Sequence, residues 1–176
     1  MSTTIRPDNL RAALDAKLAA ATSQLIDLRE AEQPRITLHL SPREIVGTFL
    51  LHARSLYPIV DAFGRAQAGE LQFSTWYQQW TEKLGDADRA LWKRLRDRQL
   101  HAHGDELIDV EISLAAGPAT TAHGSPPGAR PEVRKQLVRL AADPNRAASA
   151  VCGDYLRLAT RFAHDFVRDH AQFLPK

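Results

Sequence analysis

Leu10, Leu14, Leu18, Ala21, Leu25 and Leu28 recur at three- and four-residue spacing, the stripe of an amphipathic helix. Asp8 or Asn9 offers an N-cap for it, and Gln33-Pro34 closes it, because proline cannot continue a helix. Arg35 to Leu40 (RITLHL) alternates and is β-branched at Ile36 and Thr37, which predicts a short strand or an extended lead-in. Ser41-Pro42-Arg43-Glu44 is a start signal: serine at the N-cap, proline at the first helical position and glutamate three residues after the cap form a capping box. The helix it opens carries Ile45, Val46, Phe49, Leu50, Ala53, Leu56, Val60 and Phe63. Pro58 predicts a kink in it, and Gly64 or Gly69 its end.

Phe73-Ser74 opens a short aromatic helix, Thr75 to Leu84, stopped by Gly85, with Asp86 as the next cap. Trp76, Tyr77 and Trp80 lie on its adjoining faces. They can stack on nucleobases or fill an inter-helix core, and their helical spacing favours the core. A basic segment follows from Asp88 to about His103. Leu107 to Leu114 (LIDVEISL) alternates as a strand does, and residues 117–131 are rich in Gly, Pro, Ala, Thr and Ser, as a loop is. Val133 to Leu140 (VRKQLVRL) pairs with the first strand as a ribbon or begins a helix, the ribbon being preferred. A long helix from about Asn145 to Phe173 places Ala148, Val151, Tyr155, Leu158, Phe162, Phe166 and Phe173 near one side. The expected fold is mainly α: a four- to five-helix up-and-down bundle in one domain, 1–176, with a small two-strand β-ribbon inserted at about 106–141.

Composition narrows the class. Over 176 residues, 44% hydrophobic and 25% charged is the balance of a globular chain with one sizeable core. The opening MSTTIRPDNL has no apolar centre of the signal-peptide kind, and no run of about 18 apolar residues occurs. The expectation is a soluble, cytoplasmic protein with no membrane partner. A single cysteine, Cys152, forms neither an intrachain disulfide nor a multi-cysteine zinc site. Net charge is only +2, from 23 basic and 21 acidic residues, which argues against a uniformly basic polyanion binder.

The charge is nevertheless uneven. Arg89, Lys93, Arg94, Arg96 and Arg98 are opposed between Arg89 and His103 only by Asp97, and the run ends in His101 and His103 before Gly104. Helix periodicity puts Leu91, Leu95 and Ala102 on the buried side, with Trp92 at its border. Arg96 and His103 then share a face about 10 Å apart, Arg94 and His101 form a similar pair, and Arg96 and His101 diverge by about 140°. Those last two converge on one ligand only if the helix frays near Gly104 or a second subunit closes the site. Arginine and histidine suit RNA cleavage. The guanidinium grips a phosphate in two-pronged fashion, and the imidazole, titrating near neutrality, moves a proton at the 2′-hydroxyl or the leaving oxygen. Neither a metal nor another cofactor is then required.

Arg96-Asp97-Arg98-Gln99-Leu100-His101 resembles the R-x4-6-H motif of HEPN domains, in which a polar residue follows the arginine. FLLHARSL at 49–56, WYQQW at 76–80, RDRQLHAHG at 96–104 and CGDYL at 152–156 follow the order of the bacterial HEPN-like proteins. The resemblance covers roughly residues 41–104 and 145–170 and is specific only at the motif. It implies a helical bundle acting as a homodimer, with two motifs facing across a cleft. Arg96 would then bind phosphate, Asp97 would orient the pair, and His101 or His103 would be the catalytic histidine. Arg94, Arg98, Lys93 and Arg89 would hold RNA around them. Asp97 stands where asparagine is more usual, and its charge repels phosphate unless Arg94 or Arg98 pairs with it.

Two other classes remain open. A non-catalytic interaction or dimerisation module, antitoxin-like or a scaffold for a partner protein, would dock the basic helix on an acidic protein or RNA. A metal centre would gather His52, His101, His103, Asp105 and His164, yet no His-x3-His pair occurs on a helix, so no metal is expected. His52 reads as a core or boundary residue, His164 and His170 as surface residues, and Cys152 as a small buried residue.

Overall fold

A computed structural model describes residues 7–33, 41–97, 107–115, 132–141 and 143–173 of the chain. The element order is α1 (Pro7–Glu32), α2 (Pro42–Ala68), α3 (Glu70–Glu82), α4 (Asp86–Asp97), β1 (Leu107–Ala115), β2 (Glu132–Leu140) and α5 (Ala148–Asp169), closed by a 3-10 turn, Ala171–Phe173. The architecture is thus a five-helix bundle with an antiparallel two-strand ribbon set before the last helix. RITLHL at 35–40 and the glycine-rich stretch at 117–131 lie outside the described residues.

Each helix boundary has a local cause. α1 starts on Pro7, a residue ahead of the expected caps, since a proline at the first position already holds a helical φ. α2 has the complete capping box: Ser41 Oγ accepts from the Glu44 backbone N–H at 3.2 Å, and Glu44 Oε2 accepts from the Ser41 N–H at 2.8 Å. These bonds hold the Glu44 carboxyl below its ordinary range. The helix runs on through Pro58 and ends at Gly69, whose φ of 86° is open to glycine at little cost. α3 starts immediately afterwards, so Leu71 to Ser74 are helical rather than a lead-in, and the expected start at Thr75 is corrected to Glu70. Gly64 matters here, since a Cβ on it would lie 2.8 Å from Phe73 Cε2 and closer still to Cδ2; its bareness lets α3 fold back on α2.

α5 is shorter than the predicted Asn145–Phe173 helix. A turn, including a bridge between Leu140 and Asp143, occupies the residues before Ala148, and His170 ends the helix ahead of the 3-10 turn. The Glu32 carboxylate accepts from the Ser149 backbone N–H at 3.1 Å and from the Ser149 hydroxyl. A negative group there also complements the partial positive charge of the helix start.

α1 and α5 run antiparallel: Leu25 and Arg29 approach Gly153, while Leu14 and Leu18 share a groove with Ala163 and Val167. α3 is likewise antiparallel to α5, with Trp76 Nε1 donating to Asp169 and Trp80 Nε1 to Asp165, each at 3.0 Å. The ribbon pairs Leu107 with Leu140 through to Ala115 with Glu132, and Leu137, Val138 and Leu140 are buried. Arg43 at the start of α2 fastens it through Asp109 at 2.9 Å. Among the described residues, all the buried hydrophobic side chains but Leu137 fall into one cluster, centred on aromatic rings. Phe162 is the hub, with ring centroids of Trp80 and Trp92 at 5.0 and 5.1 Å and those of Trp76, Tyr57 and Tyr77 within 6.1 Å. The tryptophans therefore fill the inter-helix core.

Candidate functional site

α4 opens with Asp86 and Asp88 in its first turn and carries Arg94 and Arg96 in its last, both matched to the helix dipole. Its buried stripe is Trp92 and Leu95, each 2% exposed, while Leu91 is half-buried. Trp92 is the anchor of the helix rather than the border of its stripe, because Trp80, Tyr155 and Phe162 surround its indole.

One turn further on, the Arg96 guanidinium lies over two tyrosine rings. Its Cζ is 5.0 Å from the centroid of Tyr57 on α2 and 5.2 Å from that of Tyr77 on α3. The rings meet edge to face, 5.3 Å apart. Tyr77 Oη accepts from Trp92 Nε1 at 2.9 Å and from Arg96 Nη1. Tyr57 Oη donates to Asp61 at 3.5 Å; Asp61 also accepts from Arg65 Nε at 2.8 Å, and Arg65 pairs in turn with Glu70. Burial first, then the Asp61 carboxylate and Tyr77, push the Tyr57 phenol above its ordinary 10.0, against the opposing pull of Arg96 and Arg65. Tyr57 is therefore a neutral hydroxyl at physiological pH and no general base. A half-buried arginine held over two rings is oriented before any ligand arrives, which suits it to two-pronged oxyanion binding.

The other predicted residues are distributed as follows. Arg89 is exposed like Lys93 and Arg94 but tied down: its guanidinium donates to the carbonyls of Thr81, Glu82 and Leu84 at 2.9–3.1 Å and so clamps the end of α3. Lys93 and Arg94 are exposed on α4. Asp97 is the last residue of that helix, and Arg98, His101, His103 and Asp105 lie outside the described residues. The sequence reading overlooked Tyr57 and Tyr77 as companions of Arg96. Tyr77 stood in plain view within WYQQW, but nothing local pairs Tyr57 with a residue 39 positions away.

Among the remaining histidines, His52 is half-buried and its Nδ1 has no hydrogen-bond partner among the described residues. His164 is exposed on α5. His170 departs from the expected surface placement: it is 4% exposed, stacked 4.3 Å from Phe166, with its Nδ1 3.1 Å from the Phe166 carbonyl oxygen. The aromatic core extends past the end of α5 and takes the imidazole as another ring. Cys152 is buried, and burial, reinforced by Glu32 against the pull of Arg54, pushes its thiol far above the ordinary range. It is no nucleophile in the folded protein.

Among the described residues, no three His, Cys, Asp or Glu side chains are placed to hold a metal ion, and no helix is long and apolar enough to cross a membrane. Comparison with protein-family models, curated proteins and solved structures finds no match to this chain.

Proposed function

We propose that the protein is a HEPN-like, metal-independent endoribonuclease that acts as a homodimer in the cytoplasm, with Arg96 as its phosphate-binding residue. The observation that supports this most is the seating of Arg96: a half-buried guanidinium, braced by Tyr57 and Tyr77, at the start of the one segment that resembles an R-x4-6-H motif. In the reaction, the 2′-oxygen attacks the adjacent phosphorus, forming a 2′-O–P bond as the P–O5′ bond breaks. A histidine, His101 or His103, takes the 2′-hydroxyl proton, and a protonated histidine, from the same motif or its symmetry mate, delivers one to the leaving 5′-oxygen. Arg96 stabilises the charge that builds on the phosphoryl oxygens. Asp97 orients the arginine and histidine, while Lys93, Arg94 and Arg98 attract the strand.

The test is incubation of the purified protein with single-stranded and structured RNA in EDTA, beside Arg96→Ala, His101→Ala and His103→Ala. The proposal expects cleavage leaving a 2′,3′-cyclic phosphate, lost in Arg96→Ala and in at least one histidine variant. Cleavage that needs added metal, or persists in Arg96→Ala, contradicts it.

A second reading draws on the same seat. The Arg96–Tyr77 bond and the two ring contacts tie α2, α3 and α4 together, a structural duty that a non-catalytic interaction module would also need. RNA or partner binding without cleavage favours that reading.

A further inference from the structure

We infer that the pocket between the start of α3 and the end of α5 takes one unpaired nucleobase of the RNA strand. This rests on the proposal that RNA is the substrate, and it adds a base contact to the phosphate contact of Arg96. The pocket encloses about 720 Å³, within the range of roughly 300–1,000 Å³ usual for small-ligand sites. Gln72, Thr75, Trp76 and Gln79 stand at i, i+3, i+4 and i+7 on α3 and form one wall, and His170, just past α5, belongs to the other. Leu71, which also lines it, is 81% exposed, more than any other large hydrophobic among the described residues.

The anchor is His170. Its imidazole is only 4% exposed, stacked on Phe166 and set edge to face against Trp76, with 5.2 Å between the last two centroids. A phenyl ring would fill that place without bringing two nitrogens into the core. Nδ1 donates to the Phe166 carbonyl oxygen, 3.1 Å away, since a carbonyl can only accept. In the neutral ring this leaves the lone pair on Nε2, at the edge farthest from the backbone. Among the described residues Nε2 has no partner, and it is not sealed in the core, so it opens on the pocket.

The ligand class follows from which groups are still free. Both carboxylates that line the pocket are matched: Glu70 pairs with Arg65, and Asp169 accepts from Arg168 Nε at 2.9 Å and from Trp76 Nε1 at 3.0 Å. Neither stands bare as the seat of a cation, and among the described residues no three side chains are placed for a metal. What remains is neutral. Nε2 accepts an N–H, the glutamine amides both donate and accept, and Thr75, whose hydroxyl donates to the Leu71 carbonyl at 2.9 Å, keeps its oxygen as an acceptor. An uncharged planar group edged with donors and acceptors meets that set; an unpaired base is such a group, and Leu71 offers its face an apolar contact. The pocket is also within a strand's reach of Arg96: Trp76 and Tyr77 are consecutive, so about 100° of α3 separates the pocket wall from the ring beneath the guanidinium.

The test is fluorescence anisotropy with short 2′-O-methyl homo-oligomers of A, C, G and U, which bind but offer no 2′-hydroxyl to cleave, in lithium salt to keep the G strand unfolded. The wild type is expected to hold its preferred base about tenfold tighter than the weakest, because fixed donors and acceptors penalise the wrong base edge. His170→Phe keeps the ring stack but removes the acceptor, and should narrow that ratio to under about threefold. Leu71→Ala trims a side chain that hardly packs on the protein; it should keep the thermal midpoint and the order of bases, and weaken the preferred one about fivefold. No preference in the wild type, an unchanged ratio in folded His170→Phe, or unchanged affinities in Leu71→Ala overturns the pocket, while weaker binding by Arg96→Ala keeps the RNA proposal standing. A preference lost in the variants, with unmodified RNA never cut, upholds the pocket and contradicts the nuclease. A wild type that binds none of the four overturns both.

Discussion

Trp92 and Tyr77, 15 residues apart on neighbouring helices, are joined by an indole N–H donating to a phenol oxygen at 2.9 Å, and that same oxygen accepts from Arg96. Trp92 is buried at the centre of the bundle and Arg96 stands at its edge, so one hydroxyl links the core to the candidate site. Tyr77→Phe leaves the Trp92 N–H buried without this acceptor, an expected cost of about 1–3 kcal/mol in urea unfolding. Removing the donor as well, in Trp92→Phe/Tyr77→Phe, should cost less than the two single changes added together. Strict additivity of the two would show that the bond carries no coupling.

Phe162 touches rings from α2, α3 and α4, so its truncation opens a cavity that no single helix movement closes. Phe162→Ala should destabilise by about 3–5 kcal/mol, and Phe162→Leu by clearly less. Calorimetric midpoints of the two variants rank the losses. Equal midpoints for both would mean that refilling the volume recovers nothing, and would contradict the cavity account.

The thiol of Cys152 should resist alkylation at neutral pH in the folded protein, since burial suppresses its thiolate. Mass spectrometry after iodoacetamide treatment, with and without urea, reads this directly. Rapid labelling without denaturant would contradict the packing of α5 against α1 and α2.

Asp88 titrates below its ordinary 3.8 because Arg157 hydrogen-bonds its carboxylate, Coulombic attraction to Arg157 and Arg161 adding to this against the cost of desolvation. A carboxyl lowered in the folded state stabilises above its unfolded value and loses that contribution as the pH falls through the folded one. Arg157→Ala should therefore cost no more than about 1 kcal/mol at pH 7, and the deficit should shrink as the pH drops below about 4. Unfolding curves of both proteins at pH 7 and at pH 3 give the comparison. A deficit that grew in acid would reverse the sign and refute the pairing.

Local signals announced much of this fold. The Ser41 box, Gly85 and the alternation at 107–114 each act within a few residues, and the structure has a helix start, a helix stop and a strand there. Tertiary contacts decided the rest. The early start of α3 depends on Gly64 making room for Phe73, and the burial of His170 on an aromatic core that continues past α5. The candidate site divides in the same way. Arg96 was marked by the motif around it, whereas the role of Arg89 as a clamp on α3, and the pairing of Arg96 with Tyr57, arise only when three helices pack.

The central claim is that Arg96 is held in place to act on a phosphate. Single-turnover RNA cleavage in EDTA by the wild type, Arg96→Lys and Arg96→Ala, with folding of each checked by thermal denaturation, tests it most directly. Lysine keeps the charge but not the planar fork, so both variants should stay folded and lose at least about a hundredfold in rate. Cleavage by either folded variant at the wild-type rate, or no cleavage by the wild type, would contradict the account.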